Sequence, residues 1–288
     1  MITPKITNLG YGKLWSEMST ILGYASNFDQ QIQKLFANNE QGFWYDPNDL
    51  STMFQDAEGT VPVTTVGQPV GLIRDKSGRN NHAFQTIPEN RPTLRQNSVT
   101  GANYLEFDGV DDFLQTNNID FTMTDKMSLF AVVQKLRSST AESILELGVL
   151  PYDGVGTFWF TTNALAPDDV WIAIAQSWNA RTGFSKVTPV ANNFIVSAKL
   201  DFAGELAVDE VKPRLNGSTA GFTRGLGTHA GTGNFGIHPL HIGSRAGASL
   251  PFNGHIYSII SVGKLVSDDE TVDIEKELAK RAGVTLNV

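Results

Sequence analysis

A chain of 288 residues is long for one ordinary domain and short for three. That points to one large domain with room for an appendage, since all-β sandwiches run to about 250 residues as a single unit. Charged residues are 18%, below the ~25% of typical soluble domains, and 41% are hydrophobic, so a sizeable core can form. The absence of cysteine excludes a disulfide scaffold, thiolate zinc sites, iron–sulfur clusters and cysteine nucleophiles. A net charge of −8 argues against a nucleic-acid partner held on a broad basic surface.

The first residues, Met1 to Gly10, contain no apolar h-region, so no secretory signal is expected. No window approaches the ~18 uninterrupted apolar residues of a membrane helix, so no membrane insertion is expected. The expectation is a protein made in a cytoplasm that leaves, if at all, by a route such as lysis.

Residues 11–36 read as a helix. Tyr11, Leu14, Met18, Ile21, Ala25, Phe28, Ile32 and Leu35 follow the a/d register of a heptad, and Trp15, Leu22 and Phe36 widen the stripe. So broad an apolar face must be covered. Self-association or docking on a partner is one reading, and folding back onto the chain's own body is the other. The regular register favours the first, with Leu14, Met18, Ile21, Ala25, Phe28, Ile32 and Leu35 as the oligomerising or anchoring residues. Gly23 lowers helix propensity there by ~1 kcal/mol. Asn38 and Asn39 close the helix, which divides the chain into an arm, residues 1–40, and a body, residues 41–288.

From Gly42 to Gly263 the pattern changes to short runs rich in β-branched and aromatic residues, separated by Gly, Pro, Asn and Asp. Expected strands include Ser128–Leu136, Ser143–Leu147, Thr157–Thr162, Val170–Gln176, Asn193–Leu200, Glu205–Val211 and His255–Val262. Many short strands with turn signals between them mean an all-β sandwich or barrel. Residues 216–237, rich in Gly, Ser and Thr, read as one long loop. Within it Gly231 to Gly236 spells a G-x-G-x-x-G with neither strand before nor helix after, so dinucleotide binding is rejected.

The last element is a helix. Ser267 with Glu270 makes a capping box, and Asp268 and Asp269 complement the helix dipole. Ile274, Leu278 and Ala282 form its apolar stripe, Lys280 and Arg281 its last turn, and Gly283 its C′ residue.

Two stretches resemble a known family. Leu105-Glu106-Phe107-Asp108-Gly109-Val110-Asp111-Asp112-Phe113-Leu114 is similar to a signature of laminin-G-like, concanavalin A-like jelly rolls. The segment from Leu240 through Phe252-Asn253-Gly254-His255-Ile256 to Gly283 resembles the closing strand and helix of that family, and Arg214-Leu215-Asn216-Gly217 resembles one of its hairpins. The entry, Phe43 to Asp56 and then Pro69 to Ala83, looks like that of laminin-G-like modules in fibre, tail and head-decoration proteins of tailed bacteriophages. The resemblance implies a jelly-roll sandwich with a short C-terminal helix and an N-terminal helical arm. It implies a structural protein located in the virion, a homotrimer in contact with other virion proteins, whose exposed body adheres to host-surface glycan. A soluble glycan-binding lectin is the alternative, and a polysaccharide depolymerase a further one.

No catalytic residues are expected. Glucan-cutting enzymes of this fold carry carboxylates at alternate positions of one strand, and this pattern is missing. Glu142 and Glu146 lie four apart and Asp209 and Glu210 are adjacent, which suggests solvated outer-face carboxylates. For sugar stacking the candidates are Tyr152, Trp171, Trp178 and Phe184, with core packing as the competing use. The family's calcium sites at a sandwich edge make Asp108, Asp111 and Asp112 the candidate ligands, although the same aspartates are ordinary turn formers. No other cofactor is expected. His238 and His241, with Pro239 between them, read as hydrogen-bonded loop histidines rather than zinc ligands.

Overall fold

The computed structural model describes residues 27–138, 140–148, 154–162, 169–177, 179–188 and 190–287. Helix α1 (Asn27–Lys34) is followed by β1 (Gly42–Tyr45), β2 (Met53–Phe54), β3 (Leu72–Ile73), β4 (Ala83–Phe84), β5 (Thr93–Gln96) and β6 (Asn103–Asp108). Next come β7 (Leu114–Gln115), β8 (Ile119–Asp120), β9 (Lys126–Lys135), β10 (Glu142–Leu147), β11 (Thr157–Thr162), β12 (Asp169–Ala175), β13 (Arg181–Val187) and β14 (Asn193–Asp201). The chain ends with α2 (Ala207–Glu210), β15 (Val211–Leu215), β16 (Thr223–His229), β17 (Ile237–His238), β18 (Leu240–Ile242), β19 (Asn253–Val262) and α3 (Asp268–Ala282).

Two antiparallel sheets face each other across the main core. The first runs β15-β14-β9-β19-β6-β5, with β1 also on β19. Strand β19 serves two neighbours along one edge: Asn253 to Ile256 pair with β6, and Ile259 to Val262 pair with β1. The second sheet runs β16-β13-β12-β11-β10-β18-β7-β4-β3-β2, and β8 with β17 forms a small third sheet. This is a mainly β sandwich, as the strand-and-turn pattern predicted, and of the jelly-roll type that the resemblance implied.

Strand β9 shows why the first sheet is apolar on both faces. Met127, Leu129, Ala131 and Val133 enter the core between the sheets, whereas Phe130 and Val132 join a second core under the helices. The alternation is the two-residue period of a strand. On β19 a bulge between Ile256 and Ser258 breaks that period. It lets Ile256 and Ile259, three apart, share the inner core, while Tyr257 and Ile260 face the helices.

Helix α3 is built as read. The Ser267 hydroxyl accepts from the Glu270 amide, the Glu270 carboxylate accepts from the Ser267 amide, and Gly283 takes the left-handed conformation at φ 68°. Two expectations need correction. Glu205–Val211 is not a strand: Ala207–Glu210 forms a single helical turn before β15. The loop expected over 216–237 contains strand β16, paired with β13 through two irregularities that its glycines accommodate.

The arm is described only from Asn27, so Leu14, Met18, Ile21 and Ala25 lie outside the described residues. Phe28, Ile32, Leu35 and Phe36 are buried in the second core with Trp44, Ile274 and Leu278. Phe28 lies edge-on to Trp44 at 6.3 Å and under the Arg281 guanidinium at 4.2 Å. Asp29 accepts from Lys76 at 3.2 Å. Phe28, Ile32 and Leu35 are therefore consumed on the chain's own body, which corrects their expected use in self-association. The broad stripe needed a cover, and the exposed side of the first sheet supplied it. Among the described residues no helix is long and apolar enough to cross a membrane.

Candidate functional site

The side of the second sheet that faces away from the main core carries an unusual set of side chains. On β11, Phe158 and Phe160 point into the core, so Trp159 and Thr161 point the other way. Register then assigns their neighbours. Trp159 stands opposite Glu146 on β10 and Ala173 on β12, and Glu146 in turn stands opposite His241 on β18. Thr161 stands opposite Ser143 and Trp171, and Trp171 opposite Ser185. One face thus holds a carboxyl, an imidazole, two indoles and three hydroxyls.

These groups are buried: Glu146 is 3% exposed, His241 4%, and Trp159 and Trp171 each 2%. The Trp171 ring reaches across to β16, where a Cβ on Gly225 would meet the ring at 1.8 Å, so only glycine fits there. Trp159 packs with Ala173 and Ala175 in a small cluster separate from the main core. Among the described residues, no hydrogen-bond partner exists for Ser143 Oγ, Glu146 Oε2, Thr161 Oγ1, Trp171 Nε1, or either ring nitrogen of His241. Buried polar atoms ordinarily find partners, so a concentration of such atoms on one face calls for water or a ligand.

Electrostatics follow from burial. Loss of solvent pushes the Glu146 carboxyl up to about 7, against the pull of Arg245, whose Nε lies 3.5 Å away. Burial pushes the His241 imidazole down to about 4, so the ring is neutral at pH 7. Glu146 is there divided between its acid and its carboxylate. It can therefore donate or accept a hydrogen bond, and a neutral imidazole does both.

The sequence-predicted residues distribute as follows. Trp171 belongs to this face, but buried, which corrects its expected place in or beside a loop. Phe184 is 7% exposed and points into the main core, so it offers no stacking surface. Tyr152 and Trp178 lie outside the described residues. The expectation of solvated carboxylates is overturned for the glutamates, since Glu142 and Glu210 are fully buried and Glu146 nearly so, whereas the Asp209 side chain is 45% exposed. Glu142 accepts from Arg137 Nε at 2.6 Å, and Glu210 accepts from Thr182 at 2.5 Å and from the Ala230 amide at 2.8 Å. Both histidines read as loop residues lie on strands: His238, on β17, is hydrogen-bonded at 2.8 Å from the Val155 carbonyl, and His241, on β18, is buried. Nothing in the sequence marks Glu146, His241 and Trp159 as neighbours. The missing signal is a polar residue at the outward position of a strand whose other positions are apolar.

Asp108, Asp111 and Asp112 do come together, with carboxylate oxygens within 4.8 Å of one another. Their oxygens also work as turn acceptors. Asp108 Oδ1 accepts from Val110 at 2.7 Å, and Asp112 Oδ2 accepts from the Asp108 amide at 3.0 Å. Burial, with Asp108, Asp111 and Glu106 nearby, pushes the Asp112 carboxyl up to about 7.

No family model matches the chain, and no curated protein matches it in sequence. Solved structures do share its fold. A GH54 α-L-arabinofuranosidase soaked with 4-nitrophenyl α-L-arabinofuranoside aligns over 86% of this chain and 65% of its own, with TM-score 0.57 and 12% identity. An arabinofuranosidase complexed with arabinofuranosyl-α-1,2-xylobiose aligns over 74% of this chain and 51% of its own, with TM-score 0.52 and 12% identity. The botulinum neurotoxin serotype D binding domain aligns over 71% of this chain and 49% of its own, with TM-score 0.51 and 10% identity. This chain therefore spans about half to two thirds of the length of these structures. At such identities the likeness is one of fold.

Proposed function

We propose that this chain is a glycan-binding β-sandwich, displayed as a structural component of a bacteriophage virion. The glycan reading rests on the outward face of the second sheet, where partnerless buried donors and acceptors stand beside Trp159 and Trp171. Sugars present hydroxyls that both donate and accept, so a face rich in polar groups suits them. The sandwich shared with an arabinofuranosidase solved with an arabinosyl xylobiose is consistent with that chemistry.

The virion reading rests on the sequence signatures alone. In that setting, weak binding by each of several copies sums to strong adhesion. A soluble lectin would bind through the same face without a particle.

A glycan array probed with the full chain tests the first part. Binding to at least one glycan class is expected, and absence of binding to any glycan refutes it. Mass spectrometry of purified phage particles tests the second. The chain is expected among the particle's proteins, and its absence there leaves the soluble lectin.

A further inference from the structure

We propose that an open cleft at the β2–β3–β4 end of this same sheet takes one acidic sugar unit, with the sugar's carboxylate on Arg74. This rests on the glycan reading above and specifies where the glycan is held and which charge it carries. Three observations carry it.

The first is an accessible space on the outward face. Met53, Ile73, Ala83 and Leu114 enter the main core, so their strand neighbours Phe54, Leu72, Phe84 and Gln115 face outward. Register sets these four side by side, and Gln115 stands opposite His241. The row thus runs from the buried polar groups to the sheet's β2 edge. A cleft of about 590 Å³ opens there, lined by Leu72 and Phe84. That volume lies within the roughly 300–1,000 Å³ of small-molecule sites. Phe84 is half-buried, so part of its ring is open to a ligand, while Arg74, Asn80 and Asn117, which also line the cleft, are exposed.

The second is an uncommitted cation. The Arg74 guanidinium lies over the Phe54 ring, 4.4 Å from its centroid. Stacking uses the face of the guanidinium and leaves its N–H edge, the fork that binds a carboxylate bidentately. Among the described residues no ion pair or side-chain hydrogen bond engages Arg74. Glu58 also lines the cleft, but it is exposed, so water and salt screen its charge.

The third is a set of polar groups suited to sugar hydroxyls. The Asp75 amide donates to His82 Nδ1 at 3.0 Å, so that nitrogen carries no proton and Nε2–H is the ring's donor. Asn81 is committed, donating to Gln41 Oε1 and to the Gly42 carbonyl. Asn80 and Asn117 present exposed amides, each able to donate and to accept.

The test uses isothermal titration of the full chain with a uronic-acid tetrasaccharide and a sialyl trisaccharide. Each is compared with its carboxyl-reduced counterpart, in which the carboxylate has become a primary alcohol. At least one acidic probe is expected to bind, and its reduction to weaken binding roughly tenfold or more. Arg74→Gln is expected to weaken the acidic probe by a similar factor and to leave its reduced counterpart unchanged, with Tm close to wild type because the side chain is exposed. Arg74→Lys keeps the charge without the fork and is expected to fall between wild type and Arg74→Gln. Glu58→Gln removes the like charge and is expected to bind the acidic probe at least as tightly as wild type. The proposal is overturned if acidic and reduced probes bind alike, if Arg74→Gln binds as wild type, if Glu58→Gln abolishes binding, or if only neutral glycans bind on the array. In each of those cases the broader glycan reading survives. If no glycan binds at all, that reading and the cleft fall together.

Discussion

Glu142 and Glu146 stand four residues apart on β10 and point to opposite faces of the sheet. Their partners on β11 are Thr162 and Trp159, whose positions alternate. A regular strand would set residues i and i+4 on one face. The irregularity between Ser143 and Leu145 inserts one residue and reverses the second glutamate. Glu142 therefore turns to Arg137 and the Asn253 amide at the sandwich edge, while Glu146 enters the outward polar face. The two do not line a common cleft, so β10 does not present the paired carboxylates that glycoside hydrolysis commonly uses.

The opposite shifts of Glu146 and His241 make stability depend on pH from both sides. Glu146 titrates higher in the fold than its ordinary 4.5, so its contribution is complete below pH 4.5 and is lost as pH rises towards about 7. His241 titrates lower than its ordinary 6.5, so the fold loses stability as pH falls from about 6.5 towards 4. Glu146→Gln is expected to flatten the decline between pH 5 and 8, roughly, and His241→Phe the decline below about pH 6. Thermal melts across pH check both. A wild-type slope in either variant would mean that the group is solvated.

Phe28 and Ile32 are 5% and 0% exposed against the body, so their truncation creates cavities rather than freeing a partner surface. Phe28→Ala is expected to cost about 3–5 kcal/mol and Ile32→Ala about 2–5 kcal/mol. Deleting residues 1–36 is expected to lower Tm by more than either and to promote aggregation, because Trp44, Ile274 and Leu278 lose their cover. Chemical denaturation of the full chain and of the variants measures this. A truncated body as stable as wild type would restore the reading of the arm as a separate element.

Legibility in the sequence followed the range of the interaction involved. Helix α3 was readable because Ser267, Glu270 and Gly283 act on their own neighbours. The turn at Asn216-Gly217 was marked only by resemblance to a family hairpin; its φ values of 49° and 84° are those of a type I′ turn, which that dipeptide favours. The bulge in β10 was not readable, because nothing near Ile144 marks an extra residue, and its effect appears only in register with β11. Nor was the outward polar face, which assembles Glu146, Trp159 and His241 from three strands. The a/d stripe over 28–35 was read for its period, yet a period identifies a buried face without saying what buries it.

At the Asp108–Asp112 turn, a buried acid surrounded by acids is a liability at high pH. Asp112 titrates at about 7, above its ordinary 3.8, so its ionisation costs stability as pH rises between those values. Asp112→Asn keeps an oxygen to accept from the Asp108 amide and removes the titration. It is expected to be more stable than wild type at pH 8 and little different at pH 4. Melts at the two pH values decide it, and a variant less stable at both would show that the carboxylate itself holds the turn.

Glu275 illustrates the reverse case, a buried carboxylate that is fully paired. It projects from α3 onto the first sheet at 0% exposure. It accepts from Arg214 Nε at 2.8 Å and Nη2 at 2.9 Å, and from Ser197 Oγ at 2.5 Å. Bidentate geometry and a third donor offset the cost of desolvating the ion. The side chain thereby ties α3 to β14 and β15 at one point. Glu275→Ala would strand the partly buried guanidinium and the hydroxyl, and is expected to cost about 3–5 kcal/mol. Arg214→Ala strands the carboxylate instead and is expected to cost a similar amount. Replacing both together should cost less than the sum of the two, because the second change removes the group that the first left unpaired. A double-mutant cycle by urea denaturation measures that coupling, and strict additivity would mean that the pair contributes nothing as a pair.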